Sequence, residues 1–322
     1  MRRAVSCIVL TFGVATASFG QTHPLAYEQA LDLIHAYSGS GTEIDHAMQL
    51  AEGLLRSHPN SGYAQTLAAE AMSTWRLDQS GRPVELRQQV IALCDEALRI
   101  NPGLAQAHVA KGRALLRASM YEAATASIDA ALALDPKLAG AMFLRAEFFR
   151  RSGILPSAQE WYQNFIEATP SKGRKSNGYY WIGKMYEDAA AEDTHNRSIL
   201  TAKARQSYER MLSLEPDGAW RNINFAIFLN GYAADFAEAE RYAQVALGMM
   251  EFPMARYHLA AARYQTIWAD STGMSRTAMA SAAKQVATST GVTLSQAMLF
   301  RPFSAVVRGR LEQLQARLVA PQ

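Results

Sequence analysis

One stretch of the sequence, residues 103–136, constrains the fold more than any other. It reads GLAQAHVAKGRALLRASMYEAATASIDAALALDP. Apolar residues recur at three- and four-residue spacing over 104–118 and again over 121–134, with Ser119 and Met120 between the two runs. The stretch therefore predicts two amphipathic helices that are joined by a short turn and pack antiparallel.

The same unit recurs along the chain with a fixed period. Pro102, Pro136 and Pro170 are spaced 34 residues apart. A period of that length predicts a solenoid, in which each helix pair packs only against its neighbours. Length alone would divide the 322 residues into about two domains, but a solenoid grows without enlarging a single core, so one domain is expected.

The repeat resembles the tetratricopeptide repeat, TPR. When positions are counted from three residues after each proline, the stretch has small residues and a proline at the TPR positions: Gly112 at 8, Ala124 at 20, Ala131 at 27 and Pro136 at 32. It departs from the pattern at His108, Lys111 and Ile128. The small residues matter most, because two helices approach closely only where the facing side chains are small.

The resemblance extends over residues 44–264. Position 8 is small in each of six aligned repeats: Ala69, Gly112, Ala146, Gly183, Ala226 and Ala261. The predicted fold class is an all-α TPR-type solenoid of about seven antiparallel helix pairs, covering residues 25–290. Two repeats exceed the period by nine residues, around 74–83 and 189–198, and either longer helices or longer loops would accommodate the surplus.

Residues 291–322 drift from the repeat pattern and form a separate segment. Within it, residues 303–318 carry aliphatic side chains on one side and arginines on the other. This is the pattern of an amphipathic helix. We expect a C-terminal capping helix that covers the last exposed apolar face of the solenoid.

The first 20 residues have the composition of a secretory signal peptide. Two arginines precede an apolar run, and small residues suited to cleavage follow at 15–17 and 18–20. A membrane span would need about 20 apolar residues, so no permanent span is expected. The protein is therefore predicted to be exported, to the periplasm or outside the cell. Without residues 1–20 it has 30 basic and 29 acidic residues, and this balance disfavours nucleic acid as a partner.

No motif in the sequence points to catalysis or to a cofactor. HExxH, CxxC, GxSxG and glycine-rich phosphate loops are absent from it. Cys94 is the one cysteine outside the signal segment and is expected to be a buried apolar thiol. Glu192, Asp193, His195 and Asn196 form one polar cluster, which is read as a solvated loop in preference to a metal site. The sequence thus predicts a protein that is not an enzyme and holds no metal or cofactor.

The TPR resemblance implies where a ligand would bind. In TPR arrays the first helices line the concave face, and positions 2, 5, 9, 12 and 13 point into the groove. These positions give a candidate protein-binding groove: Val109, Arg113, Arg117, Phe143, Glu147, Arg150, Arg151, Tyr180, Lys184, Trp220, Ile223 and Ile227. Arginines interleaved with aromatic residues suit a peptide or helix that bears acidic groups. Alternatively, arginines near helix C-termini complement the helix dipole.

Two functions from different classes remain open at this stage. The first is a non-catalytic scaffold of the cell envelope or periplasm that binds a protein or peptide in its concave groove. The second is an oligomeric solute-handling accessory, similar to the TPR-like components associated with some TRAP transporters. The sequence determines neither the partner's identity nor the oligomeric state.

Overall fold

The structure, a computed structural model, describes Tyr27, Ile34 and residues 42–79 and 83–320. The predicted signal peptide lies outside the described residues, as does most of the expected first helix over 25–37. The described part contains fifteen α-helices and no strands. The prediction of an all-α fold is confirmed.

The helices follow one another with short connections. They are α1 Thr42–Ser57, α2 Gly62–Gln79, α3 Pro83–Ile100, α4 Ala105–Arg117, α5 Tyr121–Leu134, α6 Ala139–Arg151, α7 Leu155–Ala168, α8 Lys172–Glu192, α9 Arg197–Leu214, α10 Ala219–Phe228, α11 Phe236–Met249, α12 Pro253–Asp270, α13 Arg276–Thr290, α14 Leu294–Leu299 and α15 Ala305–Val319. A π-helical turn, Leu229–Ala233, follows α10, and a 3₁₀ turn, Ser271–Gly273, follows α12.

Antiparallel pairing arranges the helices in two layers. The even-numbered helices from α2 to α12, here called the first helices, each pack against the helix that follows, and that helix packs against the next pair. Among neighbouring first helices, α2 contacts α4, α4 contacts α6, and α10 contacts α12. No comparable contact joins successive second helices in the described ranges. The first helices therefore form the inner face of the solenoid.

Small residues at position 8 allow the two helices of a pair to approach closely. Ala69, Ala146, Ala226 and Ala261 are completely buried. At Gly183 an added Cβ would lie 3.2 Å from three ring carbons of Tyr208, which is tighter than nearly all normal contacts. The sequence prediction that these residues determine the helix contact is confirmed by their packing.

Two of the turns inside repeats end the first helix with a left-handed residue. Ser119 and Gly153 have φ of 59° and 74°. The N–H groups of Met120 and Ile154 donate to Leu115 and Phe149, the six-to-one hydrogen bond of a Schellman motif. Glycine adopts this conformation without a steric cost, whereas serine does not. The same turn is therefore more strained in the third repeat than in the fourth.

The surplus residues in the second and fifth repeats lengthen helices. α2 continues to Gln79, and α8 reaches 21 residues before the short connection 193–196 leads into α9. In the sixth repeat the first helix ends in the π-helical turn, and Ala234 follows this turn with φ 54°. Of the two possibilities left open by the sequence, longer helices are the one that occurs.

The last part of the chain turns back over the solenoid. We call residues 294–319, which comprise α14, α15 and their connection, the closing segment. α15 packs mainly against α12 and also contacts α13 and the π-helical turn of the sixth repeat. The expected amphipathic helix is present, but it lies across two repeats instead of capping the last pair alone. Among the described helices, none is long and apolar enough to cross a membrane.

Candidate protein-binding face

The predicted groove residues lie on four first helices, α4, α6, α8 and α10, and they fall into two groups. Nine are partly or largely exposed on the inner face. The other three, Val109, Glu147 and Ile223, are only 5%, 6% and 0% exposed. These three were wrongly expected to point at a ligand. Val109 and Ile223 pack against the next first helix, at Gly140 and Leu259, whereas Glu147 is enclosed by Tyr162 and two arginines of its own helix.

Glu147 is the centre of a charged network on α6. Its carboxylate accepts hydrogen bonds from Arg150 at 2.9 and 3.0 Å and from the Tyr162 hydroxyl, and Arg151 lies 3.6 Å away. Burial opposes protonation of Arg150, but Glu147 outweighs it and the pKa of Arg150 is raised. The guanidinium of Arg150 also lies over the Trp181 ring at 5.1 Å. These contacts hold Arg150 in one position.

A second network of the same design lies on α8. The Lys184 ammonium lies 2.6 Å from Glu187 and 3.0 Å from Asp188. The buried Tyr208 hydroxyl donates to Glu187 at 2.7 Å. Burial raises the pKa of Glu187, although Lys184 and the Tyr208 hydroxyl oppose this shift. Arg150 is 3.8 Å from Asp188, so the networks of α6 and α8 are connected.

A third set of contacts joins α2 to α4. Arg113 lies 3.2 Å from the buried Glu70. The Arg113 Nε atom is buried and has no hydrogen-bond acceptor. Arg117 donates to the Ser73 carbonyl at 2.6 Å, and Arg151 donates to the Leu116 carbonyl, which is near the C-terminus of α4. Arg117, Arg150 and Arg151 also lie in the last turns of α4 and α6, as the alternative interpretation of these arginines expects, and there they complement the helix dipole.

In all three sets the carboxylate is buried more deeply than the cation it faces. The side chains of Glu70, Glu147 and Glu187 are 5%, 8% and 5% exposed. The facing side chains of Arg113, Arg151 and Lys184 are 18%, 32% and 32% exposed. At Glu70 and Glu147 the more exposed groups are thus positive and fixed in place, whereas beside Lys184 the Asp188 side chain is 47% exposed and balances the charge.

Aromatic side chains lie between these cations. Phe143 packs edge-on against Trp181 at 6.4 Å, and Tyr180 against Trp181 at 5.1 Å. Further along, Trp220 lies 5.2 Å from Phe252, and its buried Nε1 has no hydrogen-bond partner. All of these rings are half-buried. Half-buried rings next to fixed cations are typical of protein interfaces.

The inner face of the last two repeats differs, and the sequence did not indicate how. Asn230, His258 and Gln265 occupy inner positions there and are almost completely buried. The closing segment covers them: Phe303 lies 4.9 Å from the His258 ring, and Arg310 donates to the Asn230 carbonyl at 2.9 Å. The sequence feature that could have indicated this cover is the neutral polar residue at position 12 of both repeats.

The other candidates are structural. Asp193 accepts hydrogen bonds from the backbone N–H groups of His195 and Asn196, so this cluster orders the connection between α8 and α9. No group of three or more potential metal ligands occurs among the residues that the structure describes. Cys94 is completely buried, and burial raises the pKa of its thiol. The expectation of a buried, apolar cysteine is confirmed.

Comparison with solved structures identifies the fold class. PilF of Pseudomonas aeruginosa superposes with a TM-score of 0.51 and 16% identity, covering 85% of this chain and 96% of that one. Human IFIT1 in a dimer with PPP-AAAA superposes with a TM-score of 0.57 and 16% identity, covering 91% of this chain and 69% of that one. A chain of the APC/C hetero-tetramer Cut9–Hcn1 superposes with a TM-score of 0.52 and 13% identity, covering 74% of this chain and 45% of that one.

This chain is a TPR-type α-solenoid, as its sequence predicts. At these identities the likeness concerns the fold and not the ligand. No family model matches the sequence, and no curated protein matches it either.

Proposed function

We propose that this protein is a non-catalytic scaffold that binds a segment of a partner protein on the inner face of α4, α6 and α8. The observation that carries the proposal is the layered charge arrangement, in which exposed cations rest on buried carboxylates. Such cations are already desolvated and oriented, so a ligand need not order them on binding.

The chemistry of the face defines the ligand. Fixed guanidinium and ammonium groups donate hydrogen bonds to carboxylates or backbone carbonyls, and half-buried rings pack against aliphatic side chains. A peptide or helix with acidic and aliphatic residues satisfies both. The buried carboxylates offset most of the positive charge, which supports a protein ligand over nucleic acid, since nucleic acid binding relies on uncompensated cations.

A peptide array tests this function. The protein without residues 1–20 is applied to immobilised peptides that vary in acidic and aliphatic content. We expect retention of acidic, aliphatic peptides and at least a fivefold loss with the double variant Arg117→Gln, Arg151→Gln. The matched control is Arg99→Gln, Arg210→Gln, which removes two exposed cations from second helices. Equal loss in both variants, or no preference for acidic peptides, would contradict the proposal.

The place of action is part of the proposal. The composition of residues 1–20 supports export, and a scaffold of this kind would then work in the periplasm or outside the cell. Expression in a bacterium, followed by cell fractionation and N-terminal sequencing, tests it. We expect the exported product to begin after residue 17 or residue 20. A full-length product that stays in the cytoplasm would refute export without affecting the binding proposal.

A further inference from the structure

The charge of the chain is unevenly distributed along its length. Residues 253–320 contain eight arginine or lysine residues and two acidic ones, Asp270 and Glu312. Residues 21–252 contain 22 basic and 27 acidic residues. The C-terminal region is therefore strongly basic, although the chain without residues 1–20 is close to neutral. Such an asymmetry favours an anionic macromolecular surface as the partner of the basic region.

Several cations of this region have no carboxylate partner. Within the described ranges, no carboxylate forms an ion pair with Lys284, Arg301 or Arg308. Arg276 and Arg317 donate to backbone carbonyls, at 2.6 and 3.2 Å, and this leaves their charge uncompensated. An anionic partner can therefore bind to this region without displacing an existing ion pair.

Residues 298–308, here called the tip, expose apolar side chains next to two of these arginines. Leu299 is 80% exposed and Val306 is 46% exposed. Pro302, which lies between them in the sequence, is exposed as well. Arg301 and Arg308 belong to the same short stretch, which contains no acidic residue. Exposed aliphatic side chains beside unpaired cations are the combination by which proteins attach to the surface of anionic membranes.

The rest of the fold holds the tip in place. Phe300 stacks on the Tyr257 ring at 4.2 Å, and Phe303 packs edge-on against Phe300 at 4.9 Å. Phe303 itself is 2% exposed. Leu299 and Arg301 stand directly before and after the anchored Phe300, so both stay exposed in the folded protein. Binding through them therefore requires no unfolding and little ordering of the chain.

The chemistry of the tip favours a lipid surface over nucleic acid. Aliphatic side chains gain free energy when they leave water for an apolar environment, which a bilayer supplies just beneath its headgroups. Proteins that bind single-stranded nucleic acid combine cations with aromatic rings on which bases stack. The two rings of the tip, Phe300 and Phe303, already pack against Tyr257 and against each other.

We propose that the tip docks the C-terminal end of the solenoid onto the surface of an anionic phospholipid membrane. Leu299 and Val306 enter the headgroup region, and Arg301 and Arg308 bind lipid phosphates. The remaining cations of residues 253–320 add longer-range attraction, which salt screens. The attachment is peripheral and reversible. It involves a different surface from the face of α4 to α8 and does not depend on the function proposed for that face.

Vesicle co-sedimentation tests the attachment. Residues 1–20 are left out, because their apolar run would itself enter a bilayer, and every described residue is retained. We expect binding to vesicles of equal parts phosphatidylglycerol and phosphatidylcholine, and at least tenfold weaker binding to phosphatidylcholine alone. Arg301→Glu, Arg308→Glu should weaken binding to the anionic vesicles at least tenfold. Leu299→Ser, Val306→Ser should weaken it at least threefold.

Two control variants make the same changes elsewhere on the surface. Arg99→Glu, Arg210→Glu reverses two exposed cations of second helices, and Ile199→Ser, Met249→Ser removes two exposed apolar side chains. Both controls should bind the anionic vesicles as wild type does. If each control weakens binding as much as the corresponding tip variant, the attachment is not specific to the tip and the proposal is overturned.

A fluorescent label locates the contact without removing any charge. Leu299→Cys accepts an environment-sensitive dye, whereas Cys94 is completely buried and does not react. Emission should shift to the blue on addition of anionic vesicles, and the same dye on Ile199→Cys should not respond. This measurement decides the matter if circular dichroism shows that a charge variant has lost helicity. Equal shifts at both positions, or binding to single-stranded DNA but not to vesicles, would refute docking to lipid.

Discussion

The inner face changes character between the central repeats and the last two. In α6 and α8, positions 9 and 12 hold charged residues: Glu147, Arg150, Lys184 and Glu187. In the sixth and seventh repeats the same positions hold neutral ones: Ile227, Asn230, Ala262 and Gln265. The charged region is open at its surface, whereas the neutral region is covered by the chain itself.

The difference has a simple electrostatic reason. Covering a charged side chain with a helix removes it from water at a cost of several kcal/mol unless it is fully paired. Covering an amide costs little if each of its groups finds a hydrogen-bond partner. Asn230 and Gln265 form hydrogen bonds with each other and with Arg310, so burying them beneath a helix costs little free energy. The composition along one face therefore decides which part of the solenoid can be covered by another part of the chain.

The largest difference in stability between the two regions is expected when a buried polar side chain is removed from each. Glu147→Ala leaves Arg150, Arg151 and the Tyr162 hydroxyl without their acceptor, and we expect a loss of about 3 kcal/mol in the free energy of unfolding. Gln265→Ala removes a neutral partner and should cost about 1 to 2 kcal/mol. Urea titration followed by circular dichroism measures both. Glu209→Ala, at an exposed second-helix position, is the control and should change stability by less than about 0.5 kcal/mol.

Acid should change the stability of the two regions in opposite directions. Burial lowers the pKa of His258 from 6.5 to about 3, so the unfolded state binds the proton first and stability falls as pH drops below 6.5. Between pH 7.5 and 5 this removes about 2 kcal/mol from the last repeat. Glu187 has a raised pKa, so acid favours its folded state.

The measurement is urea titration at the two pH values, followed by tryptophan fluorescence, in wild type and in His258→Leu. The variant lacks the titrating ring and should lose about 2 kcal/mol less than wild type on acidification. A pH response of the same size in both proteins would show that His258 is not the group responsible. That result would also weaken the electrostatic account of the covered region.

An added methyl group should destabilise the central repeats more than the region next to the closing segment. Gly183→Ala places a Cβ 3.2 Å from the Tyr208 ring, and we expect a loss of about 1 to 2 kcal/mol from overpacking. Gly231→Ala places a Cβ 3.6 Å from Ser304 Oγ, an ordinary contact, so its effect should stay below about 0.5 kcal/mol. Thermal unfolding compares the two. Equal losses would mean that the covered region is packed as tightly as the centre.

The smallest expected effects concern backbone strain. Ala234→Gly and Ser119→Gly relieve a left-handed conformation in the sixth and third repeats and should each stabilise by about 0.5 to 1 kcal/mol. Gly153→Ala should have the opposite sign, because Gly153 has φ 74° in the equivalent turn. Chemical denaturation of all three gives the test. Destabilisation by either glycine substitution would show that these turns are not strained.

Most of the fold could be predicted because its determinants are local and periodic. Small residues at position 8, such as Ala69 and Gly112, required close helix pairs, and the spacing of prolines marked where pairs end. The surplus around 74–83 and 189–198 could not be resolved, because alanine-rich and polar residues suit both a longer helix and a loop. At the groove, nine of the twelve predicted residues are at least partly exposed, and their contact with a ligand stays a prediction.

The burial of Val109 and Ile223 has one cause, and that of Glu147 has another. Repeat position predicts the direction of a side chain, but the distance between successive first helices decides whether that direction leads to water or to a neighbour. A carboxylate at position 9 is compatible with either outcome. Glu147 became buried because Tyr162 and two arginines surround it.

The periodic pattern of small and apolar residues was thus enough to specify the helix pairs and their stacking. The position of the carboxylates beneath the cations, and the cover that residues 294–319 place over the last repeats, followed from contacts between distant parts of the chain. Hydrophobic periodicity shows that a helix has a face to bury, but not which surface will cover it. That choice is made among distant partners, by hydrogen bonds such as those between Arg310, Asn230 and Gln265.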